Sequence, residues 1–150
     1  MMLMASSCEK QEDFPIIPAI EMSEKQIYEN PTEIIIKFTD GDGDIGLDES
    51  DTEPPYDFDT VNFNKYYYNL LMYYYEKQGD EWVYVELAVP YFYRVPNITP
   101  TGQNKTLNGE IKVNLPTLPN NRPDSVRLEI ELIDRALHES NLLTTPVFTK

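Results

Sequence analysis

The chain contains only one cysteine, Cys8, and only one histidine, His138. A lone cysteine excludes a disulfide within the chain. Together, the two residues are too few for the sets of thiolates and imidazoles that hold zinc, so any metal site has to be built from oxygen ligands.

Residues for catalysis are equally scarce, because with one histidine the chemistry would fall to carboxylates or to a metal ion. Asp134, His138 and Ser140 could be drawn as a triad. Their spacing, however, places all three in one turn-like segment, and no nucleophile elbow of the kind that presents a catalytic serine is visible in the sequence. We therefore predict that the protein is not an enzyme.

Positive charge is also in short supply. The chain has 12 Lys and Arg against 26 Asp and Glu, which gives a net charge of −14. Residues 40–59 hold nine of these acids and no Lys or Arg. Because nucleic acids and anionic lipid surfaces are polyanions, an acidic protein is a poor partner for either. We expect no nucleic-acid partner.

The chain contains twelve prolines, and the only gap between them that accommodates a good amphipathic helix, residues 56–89, has a strand-like pattern. No segment is apolar over the length that a membrane span needs. Apolar and polar residues alternate in three segments, as in antiparallel strands with one dry face: 33–38, 110–115 and 125–134. Further strands are predicted near 16–22, 66–76, 81–89 and 145–149, with a four-residue hairpin turn at 77–80. About seven strands predict one all-β domain over residues 15–150, an immunoglobulin-like sandwich of two antiparallel sheets.

The most informative segment is the acidic loop at 39–51, with the sequence TDGDGDIGLDESD. Like charges this close repel one another unless a cation or open water absorbs the charge. Ca²⁺ takes six to eight oxygen ligands at about 2.3–2.6 Å, and glycine lets a loop curl tightly around such a centre. The alternative is a solvated acidic turn without a metal. We predict a structural Ca²⁺ site with six candidate ligands: Asp40, Asp42, Asp44, Asp48, Asp51 and, from the end of a later strand, Asp134.

This loop differs from an EF-hand. If Asp40 were the first ligand, Ile45 would stand at the sixth position, where glycine is required. Asp51 would stand at the twelfth, where a bidentate glutamate is required. No helix is predicted on either side. The expected site is therefore a looser aspartate-rich loop.

A tyrosine-rich segment at 66–75 has apolar residues on both faces of the predicted strand. One set is expected to fill the core. The other either packs in cross-strand ladders within the sandwich or stays exposed as a platform for glycans or protein, since tyrosine combines a large ring with a polar tip. The residues of such a platform would be Tyr67, Tyr73, Tyr75, Trp82 and Tyr84.

Small residues, Ala5-Ser6-Ser7, precede Cys8, and a polar run follows it. This order resembles a lipobox, in which a signal peptidase cuts before a lipid-modified cysteine. Only seven residues precede Cys8 and none is basic, so the segment departs from a complete signal peptide. On this interpretation residues 1–7 are what remains of a signal, and 8–14 form a lipid-anchored tether. The alternative is a frayed terminus with an incidental thiol.

Three features together resemble a group of uncharacterised Bacteroides-type surface lipoproteins: IIIKFTDGDGDIG at 34–46, the tyrosine-rich hairpin and DRALHESN at 134–141. The last motif also resembles the end of bacterial immunoglobulin-like and fibronectin-like modules. The run at 10–13 resembles the signal that sends such lipoproteins to the outer face of the outer membrane. The resemblance implies a lipid-anchored, surface-exposed sandwich, and it brings no established activity.

We therefore expect a binding or assembly module of the cell envelope, whose partners are the membrane, through Cys8, and a glycan or a surface protein. The alternative is a carbohydrate-binding accessory module that uses the tyrosine surface. Two tripeptides resemble the sites at which Bacteroides-type cells O-glycosylate exported proteins, although tripeptides this short also occur by chance. They place candidate modifications on Thr60, in Asp59-Thr60-Val61, and on Ser125, in Asp124-Ser125-Val126.

Overall fold

The computed structural model describes residues 13–25, 33–115 and 118–149. These residues form nine β-strands and one 3₁₀ turn, at Lys65–Tyr67, and they contain no α-helix. The strands, in chain order, are β1 Ala19–Met22, β2 Glu33–Asp40, β3 Leu70–Gln78, β4 Glu81–Tyr84, β5 Tyr91–Tyr93, β6 Leu107–Asn114, β7 Ser125–Leu132, β8 Leu143–Thr144 and β9 Phe148–Thr149. Cys8, the predicted signal remnant and most of the predicted tether lie outside the described residues.

The strands form two antiparallel sheets. One sheet has the order β1–β2–β6. In the other, β3 and β7 pair at the centre, β4 and β5 pair with the far edge of β3, and β8 and β9 pair with the far edge of β7. The first two strands thus share a sheet with a later strand, β6, while the third strand pairs with β7 in the other sheet, as in an immunoglobulin-like sandwich. The predicted two-sheet sandwich is confirmed.

An apolar core lies between the two sheets. In β7 every second residue is buried, from Val126 to Leu132, and the intervening residues face outward. Ile34 and Ile36 of the first sheet belong to the same buried cluster as the β7 residues. Burying one such aliphatic side chain contributes about 1.5–3 kcal/mol, so the alternating pattern itself drives the sheets together.

Several predicted strand boundaries differ from those of the structure, most clearly in three places. Residues 66–68 belong to the 3₁₀ turn and the residue after it, because the Asn64 side chain caps that turn by accepting a hydrogen bond from the Tyr66 N–H at 3.1 Å. The predicted strand at 81–89 ends at Tyr84, and a separate strand follows at Tyr91–Tyr93. The chain end provides two short strands, β8 and β9, in place of one.

The hairpin turn is also shorter than predicted. Gln78 pairs directly with Glu81, so the turn has two residues, Gly79 and Asp80. Gly79 has a φ of +63°, which a residue with a Cβ adopts only under strain. The glycine therefore permits a tighter turn than the four-residue loop expected from the sequence.

Candidate metal centre

Four aspartates meet at one end of the sandwich. Asp40 is the last residue of β2, Asp42 and Asp44 follow in the next loop, and Asp134 lies two residues beyond the end of β7. One carboxylate oxygen from each lies within 4.8 Å of the others. Asp40 and Asp134 are only 0% and 2% exposed. We call these four residues the aspartate cluster.

The loop that carries Asp42 and Asp44 is held tightly against its neighbours. Gly43 has a φ of +69°, and a Cβ at this position would stand 1.7 Å from the Lys105 carbonyl oxygen. Ile45 is fully buried, and its carbonyl accepts a hydrogen bond from the Ile98 N–H at 3.1 Å. The Asp44 N–H donates to Asp40 Oδ2 at 3.0 Å, which closes the turn. These contacts fix the conformation of the loop.

Three oxygens of the cluster have no protein partner. Oδ1 of Asp40, of Asp42 and of Asp44 is buried and makes no hydrogen bond. Burial, and then the charges of Asp42 and Asp44, raise the pKa of Asp40 to about 7. Burial, and then the charge of Asp134, raise the pKa of Asp44. Leaving one buried acceptor unpaired costs about 1–3 kcal/mol, so a cation that these three oxygens could share would remove a large cost, and the cluster could hold a metal ion.

Asp134 is oriented by the turn that follows it. Its Oδ1 accepts a hydrogen bond from the His138 N–H at 2.8 Å, and its Oδ2 lies 2.8 Å from His138 Nδ1. That contact raises the pKa of His138. Leu137, inside the turn, has a φ of +70°, a left-handed conformation that is uncommon for a residue with a side chain. Backbone of this kind persists where the surrounding contacts demand it.

Two predicted ligands, Asp48 and Asp51, lie outside the cluster. Asp51 pairs with Arg135, with Oδ2 at 2.5 Å from Nη1 and Oδ1 at 3.2 Å from Nη2. The hydrogen bond from Arg135 lowers the pKa of Asp51. Asp48 Oδ2 accepts from the Asn97 side-chain amide at 3.0 Å. The structure therefore brings four of the six predicted ligands together, whereas a guanidinium and an amide engage the carboxylates of the other two.

Two arginines that the sequence analysis missed hold the rest of the acidic loop. Arg94 donates to the carbonyl oxygens of Asp48 and Asp51, each at 3.0 Å, and to that of Tyr67 at 2.8 Å. Arg135 uses its backbone N–H to bond the Asp44 carbonyl at 3.1 Å. The only sequence signal for this role was the position of Arg135, directly after Asp134.

The structure brings only some residues of the predicted tyrosine platform together. Tyr73 and Tyr75 of β3 face outward and meet Tyr84 of β4, with ring centroids 6.1 and 5.7 Å apart. Trp82 lies opposite Lys77 on the same strand pair. Tyr67 sits in the 3₁₀ turn, 4.9 Å from the ring of Phe58. Three aromatic residues nearby were missed by the sequence analysis, namely Phe63, Tyr68 and Phe92.

The two candidate modification sites have different surroundings. Thr60 is exposed in a surface loop, where the Asp59 side chain accepts from the Val61 N–H at 2.7 Å. Ser125 is half-buried at the start of β7, where it pairs with Thr149. Thr60 is therefore the more accessible of the two hydroxyls.

In comparisons with protein-family models, with curated proteins and with solved structures, nothing matches this chain. Among the residues described by the structure, no helix has the length and apolarity needed to cross a membrane. The aspartate cluster therefore has to be interpreted from its own geometry.

Proposed function

We propose that the protein is a non-catalytic binding or assembly module of the cell envelope, and that a structural Ca²⁺ in the aspartate cluster locks its fold. One observation carries the metal proposal. Buried carboxylate oxygens without hydrogen-bond partners converge from three aspartates, beside a fourth that is itself buried. A cation supplies the positive charge that this arrangement lacks.

The size and chemistry of the cluster favour Ca²⁺. Two oxygens on opposite sides of a Ca²⁺ ion are about 4.6–5.2 Å apart, twice the usual bond length. One carboxylate oxygen from each of the four aspartates lies within 4.8 Å of the others, a spacing that is compatible with such an ion. Mg²⁺ needs shorter bonds in a near-ideal octahedron and usually keeps several waters, whereas Zn²⁺ favours nitrogen and sulfur. A set of four carboxylates is a hard-oxygen site that suits Ca²⁺ best.

The location of the cluster favours a structural role for the ion. Asp40 ends a strand of the three-stranded sheet, whereas Asp134 follows a strand of the six-stranded sheet. A metal bound to both would join the two sheets at this end of the sandwich. Asp40 and Asp134 are almost fully buried and would hold the ion from inside the sandwich, whereas Asp42 is the most exposed of the four. The effect of the ion would be on stability and on the order of the acidic loop.

The test compares metal-free protein with protein in CaCl₂, in MgCl₂ and in NaCl of matched ionic strength. A ligand at a hundredfold excess over its Kd adds about 2.7 kcal/mol to the free energy of unfolding, which corresponds to a rise in Tm of about 5–10 °C for a chain of this size. We expect this rise with CaCl₂ alone and, by calorimetric titration, one Ca²⁺ bound per chain.

The matched variants remove equal charge from the same loop. Asp42→Asn with Asp44→Asn should abolish the response to CaCl₂. Glu49→Gln with Glu53→Gln, two exposed acids outside the cluster, should keep it. Equal stabilisation of the unmodified protein by NaCl and CaCl₂ would contradict the proposal. An unchanged rise in Tm with CaCl₂ in Asp42→Asn with Asp44→Asn would contradict it as well, and the cluster would then be an acidic turn without a metal.

The envelope part of the proposal rests on Ala5-Ser6-Ser7-Cys8. Produced with a complete signal in its native host, the protein should partition into detergent, and Cys8→Ala should release it into the aqueous phase. A single acyl chain binds membranes only marginally, so stable anchoring needs the two or three chains of a lipoprotein. If both forms remain in the aqueous phase, Cys8 is merely a terminal thiol.

The proposal includes no catalytic activity. Of the triad that the sequence permits, His138 Nδ1 is directed to Asp134 Oδ2. The Ser140 hydroxyl donates to the Asn141 carbonyl at 2.9 Å and accepts from the Leu132 N–H at 3.0 Å. These partners support a role for the segment in closing the turn that holds Asp134.

A further inference from the structure

The outer surface of the six-stranded sheet presents a group of neighbouring aromatic rings. We call it the aromatic face and define it by the outward residues of β3, β4 and β5: Tyr73, Tyr75, Trp82, Tyr84 and Phe92. Tyr73 links the two ends of the set, because its ring centroid is 6.1 Å from that of Tyr84 and 5.4 Å from that of Phe92. Tyr84 is 45% exposed, so the set reaches the solvent.

The aromatic face continues onto the loop that precedes β3. Phe92 lies 5.7 Å from Phe63 and 5.6 Å from Tyr68, measured between ring centroids. The Phe63 side chain is 65% exposed, and its ring is nearly parallel to that of Tyr68, with an interplanar angle of 24°. Unbroken ring contacts therefore run from the end of β4, across β3 and β5, to this loop. The surface is an extended strip of rings.

Charged side chains stand between the rings, and their charges balance. The outward charged residues of β3 and β7 are two cations, Lys77 and Arg127, and two carboxylates, Glu129 and Glu131. Arg127 Nη2 lies 2.6 Å from Glu129 Oε1, while its guanidinium carbon is 4.7 Å from the centroid of Trp82. In a chain whose net charge is −14, this balanced surface is distinctive. This surface offers hydrogen-bonding groups in fixed positions, and its electrostatic potential is neither strongly positive nor strongly negative.

We propose that the aromatic face binds a neutral glycan chain. A pyranose ring presents one face of C–H groups, which stacks on an aromatic ring, and a rim of hydroxyls, which bond to carboxylate and guanidinium groups. Both kinds of partner alternate on this surface. The length of the ring strip, from Tyr84 to Phe63, fits several linked sugar units in an extended chain.

The charge pattern separates this ligand from the alternatives. A polyanion, whether nucleic acid or acidic glycan, would need an uncompensated basic surface, whereas the two outward cations of β3 and β7 are balanced in number by two carboxylates. The core of a protein–protein interface is depleted in charged residues, whereas here they interleave with the rings. A neutral ligand rich in hydroxyls can stack its C–H groups on the rings and form hydrogen bonds with the charged side chains.

The test begins with a printed array of neutral oligosaccharides built from hexoses and pentoses, with acidic glycans on the same slide. We expect retention on at least one neutral chain and none on the acidic ones. Soluble oligosaccharide of the retained type should then change the fluorescence of Trp82, the only tryptophan in the chain. Titrations run with CaCl₂ and after chelation keep this proposal separate from that of the metal centre.

Variants then locate the binding surface. Tyr84→Ala, at an exposed strand end, should weaken binding by about tenfold, and Tyr84→Phe should weaken it far less because the ring is kept. Phe63→Ala should weaken binding of long oligosaccharides more than of short ones. Ile17→Ser, at an equally exposed apolar residue beside β1 of the other sheet, is the matched control and should change nothing.

Several results would overturn the proposal. These are a blank array, retention only on acidic glycans, and binding that Tyr84→Ala leaves unchanged while its Tm shows a folded protein. A concentration-dependent dimer, detected by sedimentation and lost in Tyr84→Ala, would also overturn it. In that case the aromatic face would be an interface between two copies of the chain.

Discussion

Arg135 and Asp51 form a two-pronged ion pair that links the turn after β7 to the acidic loop after β2. The same arginine follows Asp134 of the aspartate cluster directly, and its carbonyl accepts a hydrogen bond from the Tyr56 hydroxyl. A planar guanidinium matches a carboxylate in geometry as well as in charge. Arg135 therefore joins the acidic loop to the turn that carries Asp134 of the candidate metal centre.

We predict that Arg135→Met lowers the free energy of unfolding by about 1–2 kcal/mol, since charge-assisted hydrogen bonds contribute about 1.5–3 kcal/mol and this pair is partly exposed to screening water. Urea denaturation monitored by fluorescence would measure the change. Arg135→Lys should recover little of the loss, because an ammonium cannot make the two-pronged contact. Arg122→Met, whose hydrogen bonds are 3.4 and 3.5 Å long, is the control and should stay within about 0.5 kcal/mol of the unmodified protein.

A second prediction concerns the backbone at Gly43. Its positive φ, and the 1.7 Å that would separate a new Cβ from the Lys105 carbonyl oxygen, leave no room for a side chain. Gly43→Ala should therefore destabilise the protein by more than about 2 kcal/mol and abolish the response to CaCl₂.

The matched control for Gly43 is Gly102→Ala, where nothing lies within 4 Å of the new Cβ and φ is not positive. Its Tm should remain within about 2 °C of that of the unmodified protein. Equal melting temperatures for the two variants would mean that the loop readily adopts another conformation.

The alternation of apolar residues was enough to predict the sandwich. In β7 the pattern from Val126 to Leu132 decides which side faces the core, and a shift of one residue would expose all four apolar side chains. Strand ends were predicted less well, because they depend on single contacts. One such contact is the hydrogen bond by which Asn64 caps the 3₁₀ turn, so that β3 begins only at Leu70. Another is the pairing of Gln78 with Glu81, which sets the length of the hairpin turn.

The sequence predicted that the site would consist of aspartates, but it did not predict which of the aspartates would lie together. Proximity in sequence groups Asp48 and Asp51 with the other acids of the loop, and no rule of spacing distinguishes them. What separates them is the fold, because it brings Arg135 and Asn97 to their carboxylates from distant parts of the chain. Asp134, although 90 residues from Asp44, was expected beside the loop because the ends of two strands were expected to meet.

A third prediction follows from the pKa of Asp40, which is raised to about 7 in the folded protein. The folded state therefore holds more protons than the unfolded state between about pH 4 and 7, and the stability of metal-free protein should rise as the pH falls through this window. Because Ca²⁺ requires the ionised carboxylate, its affinity should fall over the same window and binding should release protons. Calorimetric titrations in two buffers of different ionisation enthalpy would count them. A pH-independent affinity from 5 to 8 would contradict the assignment of Asp40.

The last prediction concerns Asp40→Asn, whose Tm should change in opposite directions without and with Ca²⁺ if the cluster is a metal centre. In Asp40→Asn the carbonyl oxygen can still accept from the Asp44 N–H, while the new amide can donate to the neighbouring carboxylates in place of the unpartnered Oδ1. The repulsion and the desolvation cost both fall, so the metal-free protein should melt higher than the unmodified protein by several degrees. Because an amide carries no negative charge, Ca²⁺ should bind at least about tenfold more weakly, and the Tm in CaCl₂ should be the lower of the two. Differential scanning calorimetry of both proteins, after chelation and in CaCl₂, gives the four values. If Asp40→Asn melts higher under both conditions, the buried carboxylates only repel one another, and the cluster holds no calcium.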